Sequence, residues 1–596
     1  MSKPNSHNTI YGLVLMLYLP LVGCKPPIIE EFHETRKPNI LLIMADDLGF
    51  GDIASHGNPY IRTPRLSALK QSSVVFEQCY VSPVCAPTRA SLLTGKYHQR
   101  VGVQSVTNGY EVLDPDAVTI GEWLEGQGYR NGIFGKWHLG EYEPSLPLSQ
   151  GFHEFIGFRT GHTADYVDAV LEQNGHKYQS RGYITRVLTD AAWAFMRESQ
   201  EPFFCYLPYN VPHTPLQIDS HKLMPYLELD LDERTARIYA MIEDLDNDIG
   251  MLMDSLQGRG MLENTIIIFM SDNGPISGWK IPQDEMRFNA GLRDQKFTVY
   301  EGGIRSPSYW MWQGTWPAHQ VRGQVTAHID VLPTLLDIIG VTADPTLDGI
   351  SVRKYLEKAN VPANERFFFQ KYALGTLGSQ SPQPGGIVRH GVWKMVNGNE
   401  LYKLDVDRGE KFNLANRRPG KLDSLNVAYH QWWTSILAES DLSIQPIKVG
   451  LDLKATIDLQ PHHGTVVGDL KYTGHRGLLG EKIGTHPRGV DGDWIANWQE
   501  SGDAINWHVN VAYEGPYTLE LRYRSTGSDS IPSLSILAND EALTNFKAVN
   551  TGTDWQWSKI DTVPLAAGKA NLSIQLEEDV ETGFELRSLS LQRLRE

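Results

Sequence analysis

Three short stretches hold residue types that do chemistry. Asp46-Asp47 directly follows one apolar run, and Asp272-Asn273-Gly274 directly follows another. If the two runs pair as parallel strands, three carboxylates and an amide meet at one sheet edge. Carboxylates gathered in this way repel one another and resist ionisation unless a cation joins them. Oxygen donors of this kind suit a hard divalent ion, calcium or magnesium, rather than zinc. Either pair alone would serve equally well as a turn or a helix cap. Two such pairs at two strand ends favour a metal-binding edge. The third stretch is Cys85-Ala86-Pro87-Thr88-Arg89. A cysteine at the start of a helix with an arginine one turn on suits a nucleophilic thiol. A thiol hydrolase, however, has no use for a divalent ion.

These residues need a scaffold. Asn39-Ile-Leu-Leu-Ile-Met44, Pro202-Phe-Phe-Cys-Tyr-Leu-Pro208 and Thr265-Ile-Ile-Ile-Phe-Met270 are continuous apolar runs, the pattern of strands covered on both faces. Between the last two, Ile238, Met241, Ile242, Leu245, Ile249, Leu252, Met253 and Leu256 repeat at the spacing of one helix face. Strand, helix, strand predicts an α/β fold with a doubly wound mixed sheet sandwiched by helices. Such sheets bind ligands beyond the carboxyl ends of their strands, where both acidic pairs fall. This domain is expected over 37–355. A small C-terminal α+β subdomain over 356–440 follows, with short antiparallel strands and a helix from Lys421 to Glu439. After a linker at 441–451, residues 452–596 read as an all-β sandwich: Trp507–Tyr513, Tyr517–Arg524 and Asn571–Leu576 alternate strictly.

The chain has 596 residues, 54 Lys plus Arg against 71 Asp plus Glu, and a net charge of −17. This balance argues against a nucleic-acid partner, which needs a basic face. A chain of this length buries a large core without disulfide staples, so its four cysteines need not be structural. Lys3 precedes the apolar stretch Ile10 to Gly23, which is too short to span the ~30 Å hydrocarbon core. It reads as an export signal over 1–23. Its end, Leu21-Val22-Gly23-Cys24, resembles the lipobox of bacterial lipoproteins, with Cys24 as the acylated residue and 24–36 as a tether. The protein is therefore expected outside the cytoplasm, as a periplasmic or outer-membrane, cell-surface lipoprotein that meets the membrane through its lipid anchor only. Whether Cys79 and Cys205 pair is left open.

Cys85-x-Pro87-x-Arg89 followed by Ser91-Leu-Leu-Thr-Gly95 resembles the signature of type I sulfatases, members of the alkaline phosphatase superfamily. Further family motifs follow in order: Lys37–Asp52, Gly135-Lys-Trp-His-Leu-Gly140, Asn210-Val-Pro-His-Thr-Pro215, Ser271-Asp-Asn-Gly-Pro275, and Lys296 with Tyr300–Arg305. The resemblance covers about residues 37 to 430. It implies that Cys85 is oxidised by a formylglycine-generating maturation enzyme to an aldehyde, whose hydrate attacks sulfur. It also implies that one calcium ion is held by Asp46, Asp47, Asp272 and Asn273, with residue 85 completing the shell. By the same carry-over, Arg89 and Lys136 stabilise the hydrate and His138 assists sulfate release. His213 and Lys296 bind sulfate oxygens, and one of the two protonates the leaving alcohol. Arg159 and His162, between motifs, are candidates for sugar recognition.

The tail from about 452 is similar to family 6 carbohydrate-binding modules, through Trp494–Trp498, Asp503–Val511, Gly515–Tyr523 and Thr553–Trp557. Its tryptophans would either stack on sugars or fill the sandwich core. The expected activity is hydrolysis of sulfate esters on a sulfated glycan, polysaccharide or oligosaccharide. Two alternatives are a phosphonate or phosphodiester hydrolase of the same superfamily and a catalytically silent glycan-binding lipoprotein.

Overall fold

The structure, a computed structural model, describes residues 37–276, 287–362, 365–373, 380–440, 442–453, 455–474, 492–526, 532–581 and 583–595. The expected signal, Cys24 and the tether lie outside the described residues, except that the body begins at Lys37.

The strand Asn39–Ala45 lies at the centre of an eleven-stranded mixed sheet and is buried along its whole length. It pairs in parallel with Phe203–Pro208 on one side and Thr265–Ser271 on the other. The three apolar runs are thus neighbours. Arg130–Lys136 and Glu154–Phe158 extend the parallel part, while Ser308–Trp312 runs antiparallel beyond Thr265–Ser271. Alternate side chains feed two cores. Leu41, Ile43 and Ala45 pack with the helices Ile184–Glu198 and Glu233–Gly258. Ile40, Leu42 and Met44 pack with Cys85–Thr94 and Val331–Ile338. Covering both faces is what demands continuous apolar strands rather than alternating ones. The helix Glu233–Gly258 starts where Asp232 accepts from the Thr235 amide, and the predicted face is buried except for the partly exposed Met253. Cys79 and Cys205 are buried free thiols.

The small subdomain is a four-stranded antiparallel sheet, Phe367–Lys371 to Glu400–Lys403, with the helix Pro419–Glu439 packed on it. The tail is a sandwich of two six-stranded sheets. It begins earlier than the sequence suggests. Ile447–Val449, within the stretch expected to be a linker, is an edge strand paired with Val509–Val511. Three residues are too few for alternation to stand out from a loop.

Candidate active site

Register brings the acidic pairs together. Ala45 lies opposite Ser271, so Asp46 and Asp272 leave the sheet side by side. The Asp272 amide donates to the Ala45 carbonyl at 3.1 Å, and the Asp47 amide donates to Asp272 Oδ1 at 3.2 Å. Gly274 closes the second loop against Glu301–Ile304: a Cβ there would lie 1.8 Å from the Gly302 carbonyl oxygen. This close approach admits only glycine. The same loop places Lys296, whose amide donates to the Pro275 carbonyl at 2.9 Å.

Cys85 is the first residue of a helix, Cys85–Thr94, whose every residue is buried. Around it, three cations face three carboxylates. Arg89 Nη2 lies 2.7 Å from Asp272 and 4.0 Å from Asp46. Lys136 Nζ donates to Asp46 at 2.8 Å, and Lys296 Nζ sits 2.6 Å from Asp47. His213 Nε2 is 3.8 Å from Asp47. Burial alone would raise the Asp46 carboxyl, but Lys136 and His213 outweigh it and hold it well below the carboxylate range. Asp47 is lowered in the same way by Lys296 and His213. Asp272 goes the other way: burial and the Asp46 charge push it up despite Arg89.

The donor set fits a divalent cation. Asp46 Oδ1, Asp47 Oδ2 and Asn273 Oδ1 are buried with no hydrogen-bond partner among the described residues. Orphaned buried acceptors cost roughly 1–3 kcal/mol each, and all three belong to the predicted ligand set. Donor atoms of Asp46, Asp272 and Cys85 lie within 4.8 Å of one another.

His138 is held in a specific protonation pattern. Its Nε2 lies 3.0 Å from the Val106 carbonyl oxygen and its Nδ1 lies 3.3 Å from Cys85 Sγ. A carbonyl only accepts, so the proton sits on Nε2 and the Nδ1 lone pair faces residue 85. Burial, then Lys136, depresses this imidazole to about 3, so the ring is neutral. Asp47 and His138 both adopt left-handed backbone, with φ of 65° and 61°. Such strain costs non-glycine residues on the order of 1 kcal/mol and gathers at working sites.

Cys85, His138, His213 and Lys296 line a cavity of about 260 Å³, and Arg159 and His162 line it as well. Arg159 is fixed there by Glu172 at 2.6 Å and by the Glu141 carbonyl at 3.0 Å. Arg89, Lys136, Asp46, Asp47 and Asp272 do not line this cavity. Three features escape the sequence reading. Buried Arg287 donates to the Asp47 carbonyl at 2.5 Å and pairs with Asp52 at 3.0 Å, fixing the first acidic loop. Glu111 and Glu141 add two carboxylates to the cavity wall. His462, from the tail, lines it too. The Asp52 end of this network is visible in the opening motif; the other partners carry no local signal.

Comparison with known proteins agrees with this geometry. The family model described as Sulfatase matches residues 38–341. Human arylsulfatase A is 31% identical over 449 residues, covering 64% of this chain and 83% of that protein. N-acetylgalactosamine-6-sulfatase of Sus scrofa is 28% identical over 411 residues, covering 62% and 75%. Among solved structures, Ps i-CgsB is 27% identical with a TM-score of 0.61, covering 68% of this chain and 94% of that one. The same protein has been solved in complex with k-i-k-neocarrahexaose.

Proposed function

The chain belongs to the sulfatase family and is a sulfuric ester hydrolase; from that premise we propose that it desulfates a sulfated glycan, using formylglycine made from Cys85 and one calcium ion. The observation that carries this reading is the convergence on residue 85 of a neutral His138 Nδ1 and a cation-ready carboxylate set. The calcium ion would be held by Asp46, Asp47, Asp272 and Asn273. When present, the hydrated aldehyde supplies a nucleophilic hydroxyl and the ion a Lewis acid for a sulfate oxygen.

The protein's own groups then have definite tasks. Arg89, Lys136 and Lys296 balance Asp46, Asp47 and Asp272, three charges against three. A divalent ion held there would leave this set of groups with two positive charges, which would attract a sulfate ester locally although the whole chain carries −17. Beyond ~8 Å that global charge is screened at physiological salt. His138 Nδ1 takes a proton from the side chain of residue 85. Burial, opposed by Asp46 and Asp47, brings His213 down to about 4, while Asp47 outweighs burial to keep Lys296 charged. Both line the cavity and bind the sulfate oxygens, and the leaving alcohol receives its proton from one of them.

The glycan reading is supported by two of the relatives named above, an N-acetylgalactosamine-6-sulfatase and a protein solved in complex with k-i-k-neocarrahexaose. The leader and Cys24 make the protein an exported lipoprotein in this proposal; incorporation of labelled palmitate at Cys24 checks it. The central test joins two measurements on the purified full chain. Sulfate release from sulfated sugars is expected, together with the mass of formylglycine at position 85 of the tryptic peptide. Active enzyme with an intact Cys85 thiol would overturn the mechanism, and Cys85→Ala should abolish turnover while leaving the fold intact.

A further inference from the structure

The tail reaches the cavity that holds residue 85. His462 lies in the turn Pro461–His463 and lines the cavity together with Glu141, which follows the Gly135–Gly140 motif. His462 Nε2 is 2.9 Å and His463 Nε2 is 3.1 Å from the same carboxylate oxygen of Glu141. His463 Nδ1 is 3.6 Å from Glu111 on the same wall. The turn is anchored from two sides. The buried Trp507 indole donates to the Gln460 carbonyl at 2.8 Å. From the body, the Tyr142 hydroxyl donates to the Asp458 carbonyl at 2.8 Å and accepts from the Gln460 amide at 3.2 Å. Tyr142 also packs against the sandwich core. His462 is therefore a fixed part of the cavity, with His463 behind it on the same turn, and neither is a feature of a tethered module.

A carboxylate that is ionised and oriented has one use beside a sulfate-binding floor. It accepts hydrogen bonds from hydroxyl groups and repels a second anion. Burial alone would raise Glu141, but His462 and His463 outweigh it and keep it well below the carboxylate range. Resting on the sulfatase reading, we propose that Glu141 binds a hydroxyl of the sugar ring that bears the sulfate, with His462 and His463 of the β-sandwich as its positioning residues. The substrate class that fits has a free hydroxyl, rather than a further sulfate or carboxylate, beside the ester to be cleaved. The same three side chains also have the donor types of a zinc site. The hydrogen bond between His462 and Glu141 favours the pairing over an ion, with His463 as an ion-pair neighbour of the same oxygen.

The test compares the full-chain wild type with Glu141→Gln and His463→Gln. Substrates are 4-nitrophenyl sulfate, which has no hydroxyl, and a panel of 6-sulfated galactose, N-acetylgalactosamine and N-acetylglucosamine. For the sugar best used by wild type, Glu141→Gln is expected to lower kcat/KM by about ten-fold more than for the aryl sulfate, the loss falling on KM. His463→Gln should shift the ratio in the same direction by less. Equal losses on both substrates, or none, would mean a structural role and overturn the proposal. So would wild type that hydrolyses the aryl sulfate but no sugar, which leaves the sulfatase reading standing. One bound zinc per chain, lost in His463→Gln, would likewise overturn it. Wild type idle on every sulfate ester despite a matured residue 85 would instead refute the reading beneath.

Discussion

Calcium added to the chelated protein should raise its unfolding temperature, and Asp46→Asn should remove that response. Three buried acceptors in the site have no hydrogen-bond partner among the described residues, and the Asp272 carboxyl is pushed up by burial and by Asp46. An ion that satisfies these groups binds only the folded chain. At a hundredfold excess over its Kd it stabilises by about 2.7 kcal/mol. Unfolding entropy is about 2.1 cal/mol/K per residue, so a body of roughly 400 residues has ~0.8 kcal/mol/K. The expected rise in Tm is therefore ~3 °C. Differential scanning fluorimetry in EGTA and then in excess calcium reads it. Asp46→Asn strands Lys136 and starts from a lower Tm, so the quantity compared is the calcium shift within each protein. A wild-type Tm that ignores both chelator and calcium would refute the reasoning. So would an Asp46→Asn protein with the full shift.

His138→Gln keeps a polar side chain but cannot accept a proton. Turnover should fall by about 10²–10⁴-fold, and nitrogen NMR of the wild type should show His138 protonated at Nε2 alone. Lys394 is fully buried between Glu301 at 3.0 Å and Glu410 at 2.8 Å. Lys394→Met strands Glu410 and leaves Glu301 paired with Arg305, and urea unfolding should show a loss of about 3–5 kcal/mol. Buried His98 and His328 have folded values near 4 and 3, with burial the main cause and the unfolded value near 6.5. The unfolded chain takes up protons first, so their contribution is complete above pH 6.5 and is lost progressively as pH falls towards 4 and 3. Unfolding followed from pH 8 to 4 at constant calcium checks the sign.

The central strands and both acidic loops were legible because each combines an unbroken apolar run with an abrupt acidic stop, and both signals lie within ten residues. That the two strands are parallel neighbours was the condition of the reading, and their register meets it. What stayed hidden depends on distant chain. Glu141 and His462 are 321 positions apart, and nothing near His462-His463 marks it as a cavity residue. Tryptophan in the tail was ambiguous for a physical reason, since the same ring suits a core and a sugar face. Trp498 and Trp507 are core, Trp494 and Trp555 clasp Arg524, and Trp557 is exposed.

Burial of the helix Cys85–Thr94 also bears on when the proposed oxidation of Cys85 would have to happen. An enzyme that oxidised Cys85 would have to grip several residues on either side of it, and in the folded protein Cys85 alone of that helix lines the cavity while the residues after it are buried. If Cys85 is oxidised as proposed, maturation would therefore precede folding, while the segment is still an extended peptide. A molecule that folded first would keep its thiol, and a maturation enzyme arriving later would not rescue it.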